Sequence, residues 1–254
     1  MAAIYAATHL RLAGRYAVKV LHAEGAAIET AVERFRREAE VTSALRHPHI
    51  IQVLDFNQME DGRAYMVMEY LTGQDLRQRL NREGTIPLAA AAVIIDQVAS
   101  ALAAAHNVGV IHRDLKPENL FCVEVPGSDR EFMKVLDFGM SKIRHAAKIT
   151  ADATLLGTPP YMSPEQALGR HDEIDPSTDQ FALAAILYEM LTGSPAFPGA
   201  DVGMVLEAVI ERDPLPIPDA RLGPAEGAIR KALSKEKEGR FPDITAFARA
   251  IQRS

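Results

Sequence analysis

The stretch VIHRDLKPENLF, residues 110–121, sets an acid, a base and an amide close together in what reads as a loop: Asp114, Lys116 and Asn119, preceded by His112 and Arg113. A carboxylate there can take a proton from a hydroxyl nucleophile. A lysine two residues on, projecting the same way in extended chain, can neutralise charge on a phosphoryl group in transfer. An asparagine carbonyl can hold a divalent cation. The bland alternative is a solvated polar loop, but the order of residues favours chemistry. A second stretch, KVLDFGMSK (134–142), ends an apolar run in Asp137, placed as a cation ligand at a strand end would be, and Gly139 allows a sharp turn. A third candidate is Lys19 in YAVKVL. On an inward-facing strand it needs a partner, and Glu38 in the helical stretch that follows can be one. Taken alone, Lys19 reads more simply as an edge-strand gatekeeper.

These groups need a scaffold large enough to hold them. The chain has 254 residues, 48% hydrophobic and 24% charged, so a sizeable core can form. A net charge of −6 argues against a general nucleic-acid binder. Cys122 is the single cysteine, which excludes an intrachain disulfide and a cysteine-rich metal site and suits a reducing compartment. No N-terminal run has the order of a signal peptide. The apolar stretch 89–105 is interrupted by Asp96, Gln97 and Ser100, so it is expected to pack inside a lobe and not to span a membrane. A cytoplasmic location is the expectation.

Residues 1–70 read as strand, strand, helix, strand, strand. The helix follows from apolar positions Ile28, Val32, Phe35, Ala39 and Leu45, with Pro48 beyond its end. The last two strands flank EDG, a hairpin signal. From residue 73 the chain turns helical. A short helix lies in LTGQDLRQRL and a long one from Pro87 to His106. Two strand-like pieces, NLFCVEV and FMKVLDF, come next. An irregular run from Gly139 to Gly169 precedes helices at 179–192, 202–211, 225–233 and 243–251. The fold class is therefore α+β, with a β-rich N-lobe (1–70), a hinge (71–73) and a helical C-lobe (74–254) around a cleft.

The residues in this order resemble a protein kinase catalytic domain of the eukaryotic-like bacterial serine/threonine type. The resemblance rests on AVK (17–19), Glu38, HRDLKPEN (112–119), DFG (137–139), GTPPYMSPE (157–165), Asp179 and Arg240, and it covers nearly the whole chain. It implies a two-lobed fold and transfer of the γ-phosphoryl of ATP to Ser/Thr hydroxyls of protein substrates, with Mg²⁺ or alternatively Mn²⁺. It assigns Lys19 to the α- and β-phosphates and Glu38 to holding Lys19. Asp114 orients or deprotonates the acceptor, Lys116 meets the transferring group, and Asn119 and Asp137 hold the metal. Met68 would be the gatekeeper, with Glu69 to Leu71 as the hinge. Ala17 and Phe121 would sandwich the adenine ring, a role that plain core packing rivals, and Ile4 matches the last apolar position of the phosphate-covering loop. Arg113 would pair with phosphate on the activation segment, where Thr150 is favoured over Thr154 as the autophosphorylation site, in a kinase dimer. Thr158 would bond the catalytic Asp and Lys. Asp179 would brace the catalytic loop, and Arg240 would pair with Glu165.

The front of the chain departs from the pattern. Ala2 stands where the third glycine of the phosphate-covering loop is expected, and the first two glycines and the strand leading to them would fall before Met1. MAAIY is read as the tail of that loop, with Met1 an internal methionine. Loss of two loop N–H bonds to phosphate implies binding or rate weaker by roughly 10²- to 10⁴-fold for the sequence as written. A kinase-like binding module is the rival reading. A small-molecule phosphotransferase is disfavoured by GTPPYMSPE, which builds a platform for protein substrates.

Overall fold

A computed structural model of the chain describes residues 2–11, 13–22, 28–127, 131–138, 159–217 and 222–254. Strands β1 (Ala2–Thr8) and β2 (Arg15–Leu21), helix α1 (Ile28–Ala44), and strands β3 (Val53–Gln58) and β4 (Ala64–Glu69) follow in the expected order. The strands form one antiparallel sheet, β1-β2-β4-β3. Along β4 burial alternates, with Ala64, Met66 and Met68 inside, the period of a half-buried strand. Those side chains meet Phe35 and Ala39 of α1 in a small core completed by Ile51. The EDG hairpin turns at Gly62, whose φ of 83° suits glycine, and Met59 and Arg63 pair across it.

A second, larger core begins beyond the hinge. Here lie β5 (Gly73–Asp75), α2 (Leu76–Glu83), α3 (Leu88–His106), β6 (Leu120–Val123) and β7 (Met133–Val135). They are followed by α4 (Pro164–Ala167), α5 (Pro176–Thr192), α6 (Val202–Glu211), α7 (Gly223–Ala232) and α8 (Ile244–Gln252). Gly73 is required by close approach: a Cβ there would stand 2.0 Å from the Cys122 carbonyl oxygen, across the β5–β6 pair. Helix α3 has the length and apolarity of a membrane span, but Ala91, Ile94, Ile95, Val98 and Leu102 are buried in the C-lobe core, where α3 packs on α5 and α8. Helix α5 is buried from Thr178 to Met190. It starts three residues before the sequence-predicted Asp179, because the Asp175 side chain caps Ser177 N–H (2.8 Å) with Pro176 in the first turn. The lobes are stitched behind the cleft by backbone bonds from Ile51 N–H to Val135 O (3.0 Å) and from Val135 N–H to His49 O (2.8 Å). The two-lobed α+β architecture is the one the sequence implies.

Candidate active site

The segment 110–116 runs without regular structure until a 3-10 turn at Pro117–Asn119. Arg113 sits at φ 65°, a left-handed conformation that costs a side-chain-bearing residue roughly 1–3 kcal/mol and persists only where its surroundings enforce it. Asp179 enforces it. Fully buried at the start of α5, Asp179 accepts His112 N–H (2.9 Å) and Arg113 N–H (2.8 Å), while His106 Nε2 lies 2.7 Å from its Oδ2. Burial alone would raise the Asp179 pKa, but the hydrogen bonds and the neighbouring imidazoles outweigh it and hold the carboxyl below its usual range. The loop thereby presents Asp114 with Lys116 Nζ 3.1 Å from its Oδ2. Asn119 Nδ2 donates to the Asp114 carbonyl (2.8 Å), which leaves the amide oxygen as the end available to a cation.

The second cluster spans both lobes. Lys19 Nζ lies 2.7 Å from Glu38 Oε1 on α1 and 2.7 Å from Asp137 Oδ1 beyond β7. Strand β2 runs between β1 and β4, so the edge-strand gatekeeper reading of Lys19 is excluded, and its 5% exposure marks a paired internal lysine. Burial works to lower the Lys19 pKa, yet Asp137 and Glu38 together leave it pushed up to about 12. Burial pushes Glu38 up to about 7, against the pull of Lys19. For Asp137 desolvation is outweighed by Lys19, and its carboxyl is held low. Asp137 also sits at a left-handed φ, 58°. It is carried there by its neighbours: Leu136 N–H bonds the Asn119 carbonyl (2.8 Å), His112 Nε2 lies 2.9 Å from the Leu136 carbonyl, and Phe138 is buried against the His112 ring at 4.9 Å. Thr42 Oγ1, one turn beyond Glu38, reaches the Phe138 carbonyl at 3.5 Å. No cluster of three or more metal-ligating side chains occurs among the described residues. The Asp137 carboxylate and the Asn119 amide oxygen are hard oxygen donors, the type a hard divalent cation accepts.

Above this cluster the register sets Ile4 opposite Lys19 and Ala17 opposite Met68, so all four share one face of the sheet. Ile4 is exposed and Ala17 half-buried, whereas Met68 is buried in the N-lobe core. Half-buried Phe121 lies on β6, opposite Lys134 of β7, and Glu69 closes β4 with Leu71 two residues on. Behind the site Glu165 on α4 and Arg240 form a buried bidentate pair at 3.0 and 2.9 Å, joined by Thr178 Oγ1 at 2.7 Å. Arg240 and Thr178 override burial and lower the Glu165 pKa. Thr150, Thr154, Thr158 and Gly139 lie outside the described residues.

Sequence reasoning missed several partners. Arg77 on α2 binds Glu189 (2.7 Å) and Glu118 (3.2 Å), and Tyr161 hydrogen-bonds both Arg77 and Glu189. No local signal joins residues so far apart in sequence. His106 was legible only as the end of a helix, and Thr42 only as an interior helical position.

Asp179 and Glu165 have folded-state pKa values below their unfolded values. Each contributes stability that is present above the unfolded pKa of about 4 and lost as pH falls through the depressed value. Urea midpoints measured against pH are expected to fall steadily below about pH 5. A flat profile from there to pH 3 would contradict this.

The protein kinase domain profile matches residues 1–235. The serine/threonine-protein kinase pkn3 of Myxococcus xanthus is 42% identical over 261 aligned residues, covering 99% of this chain and 47% of that protein. The serine/threonine-protein kinase PknB of Mycobacterium leprae is 36% identical over 248, covering 95% and 39%. The chain thus spans less than half the length of either relative. The crystal structure of the PknI kinase domain of Mycobacterium tuberculosis, in a double-mutant form, has a TM-score of 0.74 at 27% identity, covering 100% of this chain and 90% of that one. Profile, relatives and the lysine, glutamate and aspartate that meet across the cleft agree, and the chain belongs to the protein kinase domain family.

Proposed function

We propose that the chain transfers the γ-phosphoryl group of ATP, with Mg²⁺ or Mn²⁺, to serine or threonine hydroxyls of protein substrates in the cytoplasm. The observation that carries this is the convergence of Lys19, Glu38 and Asp137 from two lobes onto one point, with Asp114 and Lys116 presented by the loop braced below. Lys19, held by Glu38, grips the nucleotide phosphates. Asp137 and the Asn119 amide oxygen would hold the metal, which supplies charge neutralisation on the phosphate oxygens. Asp114 aligns the acceptor hydroxyl and takes its proton as the new O–P bond forms and the bond to the β,γ-bridging oxygen breaks, with ADP leaving. Lys116, beside Asp114, offsets charge on the group in transfer. Serine and threonine are favoured because HRDLKPEN has the form seen in serine/threonine kinases.

The same reading includes autophosphorylation at Thr150, or at Thr154, between two copies of the chain. Two guanidinium nitrogens support it: Arg113 Nε and Arg34 Nε are buried without a hydrogen-bond partner among the described residues, and desolvation lowers the Arg113 pKa. A phosphothreonine supplies the acceptors such groups lack. Incubation with γ-labelled ATP followed by phosphopeptide mapping tests both parts. Label on serine or threonine of an added protein, and on a site between 139 and 157, is expected. Nucleotide binding without any transfer would leave the chain a binding module, and an unmodified 139–157 segment would sink autophosphorylation.

A further inference from the structure

Strand β7 carries a charged side chain that the transfer chemistry does not use. Lys134 lies directly across from Phe121 in the β6–β7 register, so the two project from the same face. Its ammonium crosses between lobes: Nζ lies 2.6 Å from Glu69 Oε1 and 3.1 Å from the Ile50 carbonyl. Both side chains are largely enclosed, 12% and 27% exposed. Glu69 Oε1 also accepts Gln52 N–H at 2.8 Å, and Glu69 N–H donates to the Gln52 carbonyl at 3.0 Å. One ammonium thus fixes the carboxylate at the last residue of β4 and the backbone of the segment leading into β3. Without it, Glu69 keeps, among the described residues, a single backbone donor for a largely enclosed charge, and the side chain gains by turning to water. The peptide it belongs to opens the hinge.

We infer that Lys134 is a positioning residue for the adenine side of the cleft: by clamping Glu69 from the opposite lobe it presets the hinge backbone that receives the base, next to Phe121 as the floor. This rests on reading the cleft as an ATP site. It goes further in assigning the preset to a side chain from β7, three residues ahead of Asp137, and so in coupling the base pocket to the strand that delivers the metal ligand. Among the described residues the other links between β7 and the segment after α1 are backbone bonds and the contact of His49 Nδ1 with the Met133 carbonyl (2.9 Å), which Lys134→Met leaves in place together with most of the aliphatic stem.

The test compares wild type, Lys134→Met and Lys134→Arg in the full chain. Native-state hydrogen exchange is read at the amides of residues 69–71 without nucleotide, and ATP and adenosine are titrated separately. In Lys134→Met, exchange at Glu69 is expected to rise about tenfold, the scale of one charge-assisted hydrogen bond. ATP and adenosine are expected to weaken by the same factor, because the lost contact is on the base side. Lys134→Arg, which keeps the charge, restores part of both. Unchanged hinge exchange, or exchange that rises evenly over the whole N-lobe, would overturn the inference. So would a loss confined to ATP. Neither readout depends on phosphoryl transfer. A wild type that binds adenosine but transfers nothing refutes the proposed activity while the clamp is still decided. If wild type does not bind adenosine, the reading of the cleft fails and exchange alone decides the clamp.

Discussion

Asp114→Asn is expected to lower kcat by roughly 10²- to 10⁴-fold, the usual share of a positioned acid–base group, while nucleotide affinity stays at the wild-type value. Asparagine keeps the shape of the side chain, and the backbone carbonyl that accepts Asn119 Nδ2 is untouched. What is lost is a carboxylate that can take the acceptor proton and face Lys116 Nζ at 3.1 Å. Because that pair is partly open to solvent, its contribution to stability is at most about 1 kcal/mol, and the fold survives the change. Steady-state turnover with γ-labelled ATP, read beside a nucleotide titration and a melting curve, separates these quantities. Wild-type turnover in the variant would remove Asp114 from its role. A parallel loss of nucleotide binding would point to a disturbed loop instead.

Arg240→Ala has the opposite profile, with a large effect on stability and little on the affinity of molecules that remain folded. The guanidinium is fully buried. Beyond its bidentate grip on Glu165, it donates to the Ser234 carbonyl (3.0 Å), the Ser177 carbonyl (3.1 Å) and the Lys235 carbonyl (3.2 Å). Truncation strands a buried carboxylate and three carbonyls at once. Removing one partner of such a pair costs about 3–5 kcal/mol, a large part of the stability of an ordinary domain. Urea unfolding should show this as a lower midpoint with unchanged slope. Glu165→Gln in the same background is expected to recover part of the loss, since an unpaired amide is less costly to bury than a charge. Arg240→Lys should recover little, because an ammonium is a point charge that cannot reproduce the planar fork of the guanidinium. An unfolding free energy for Arg240→Ala within about 1 kcal/mol of wild type would show that water or a neighbour replaces the guanidinium.

Much of the fold was legible because its signals are local. The 3.6-residue spacing of Val32, Phe35 and Ala39 names the face of α1 that meets the sheet, and the EDG turn fixes the β3–β4 hairpin. Asp114, Lys116, Asn119 and Asp137 were legible because they sit in short ordered motifs. The Lys19–Glu38 pair could be proposed from the cost of burying a lone lysine. The start of α5 was misplaced by three residues because the Asp175 cap and Pro176 outweigh the apolar pattern that begins later.

The sequence by itself determined which residue types the chain offers at the candidate site and the order of elements that carry them, since both follow from short-range pattern and turn chemistry. Only the tertiary structure decided which charges meet. Lys19 could be an edge gatekeeper until β2 took its place between β1 and β4. The left-handed backbone of Arg113 is held by Asp179, 66 residues away, and the carboxylate of Glu69 is claimed by Lys134 from the other lobe. Pairing of buried charges depends on distance and desolvation, and neither exists until the lobes have packed.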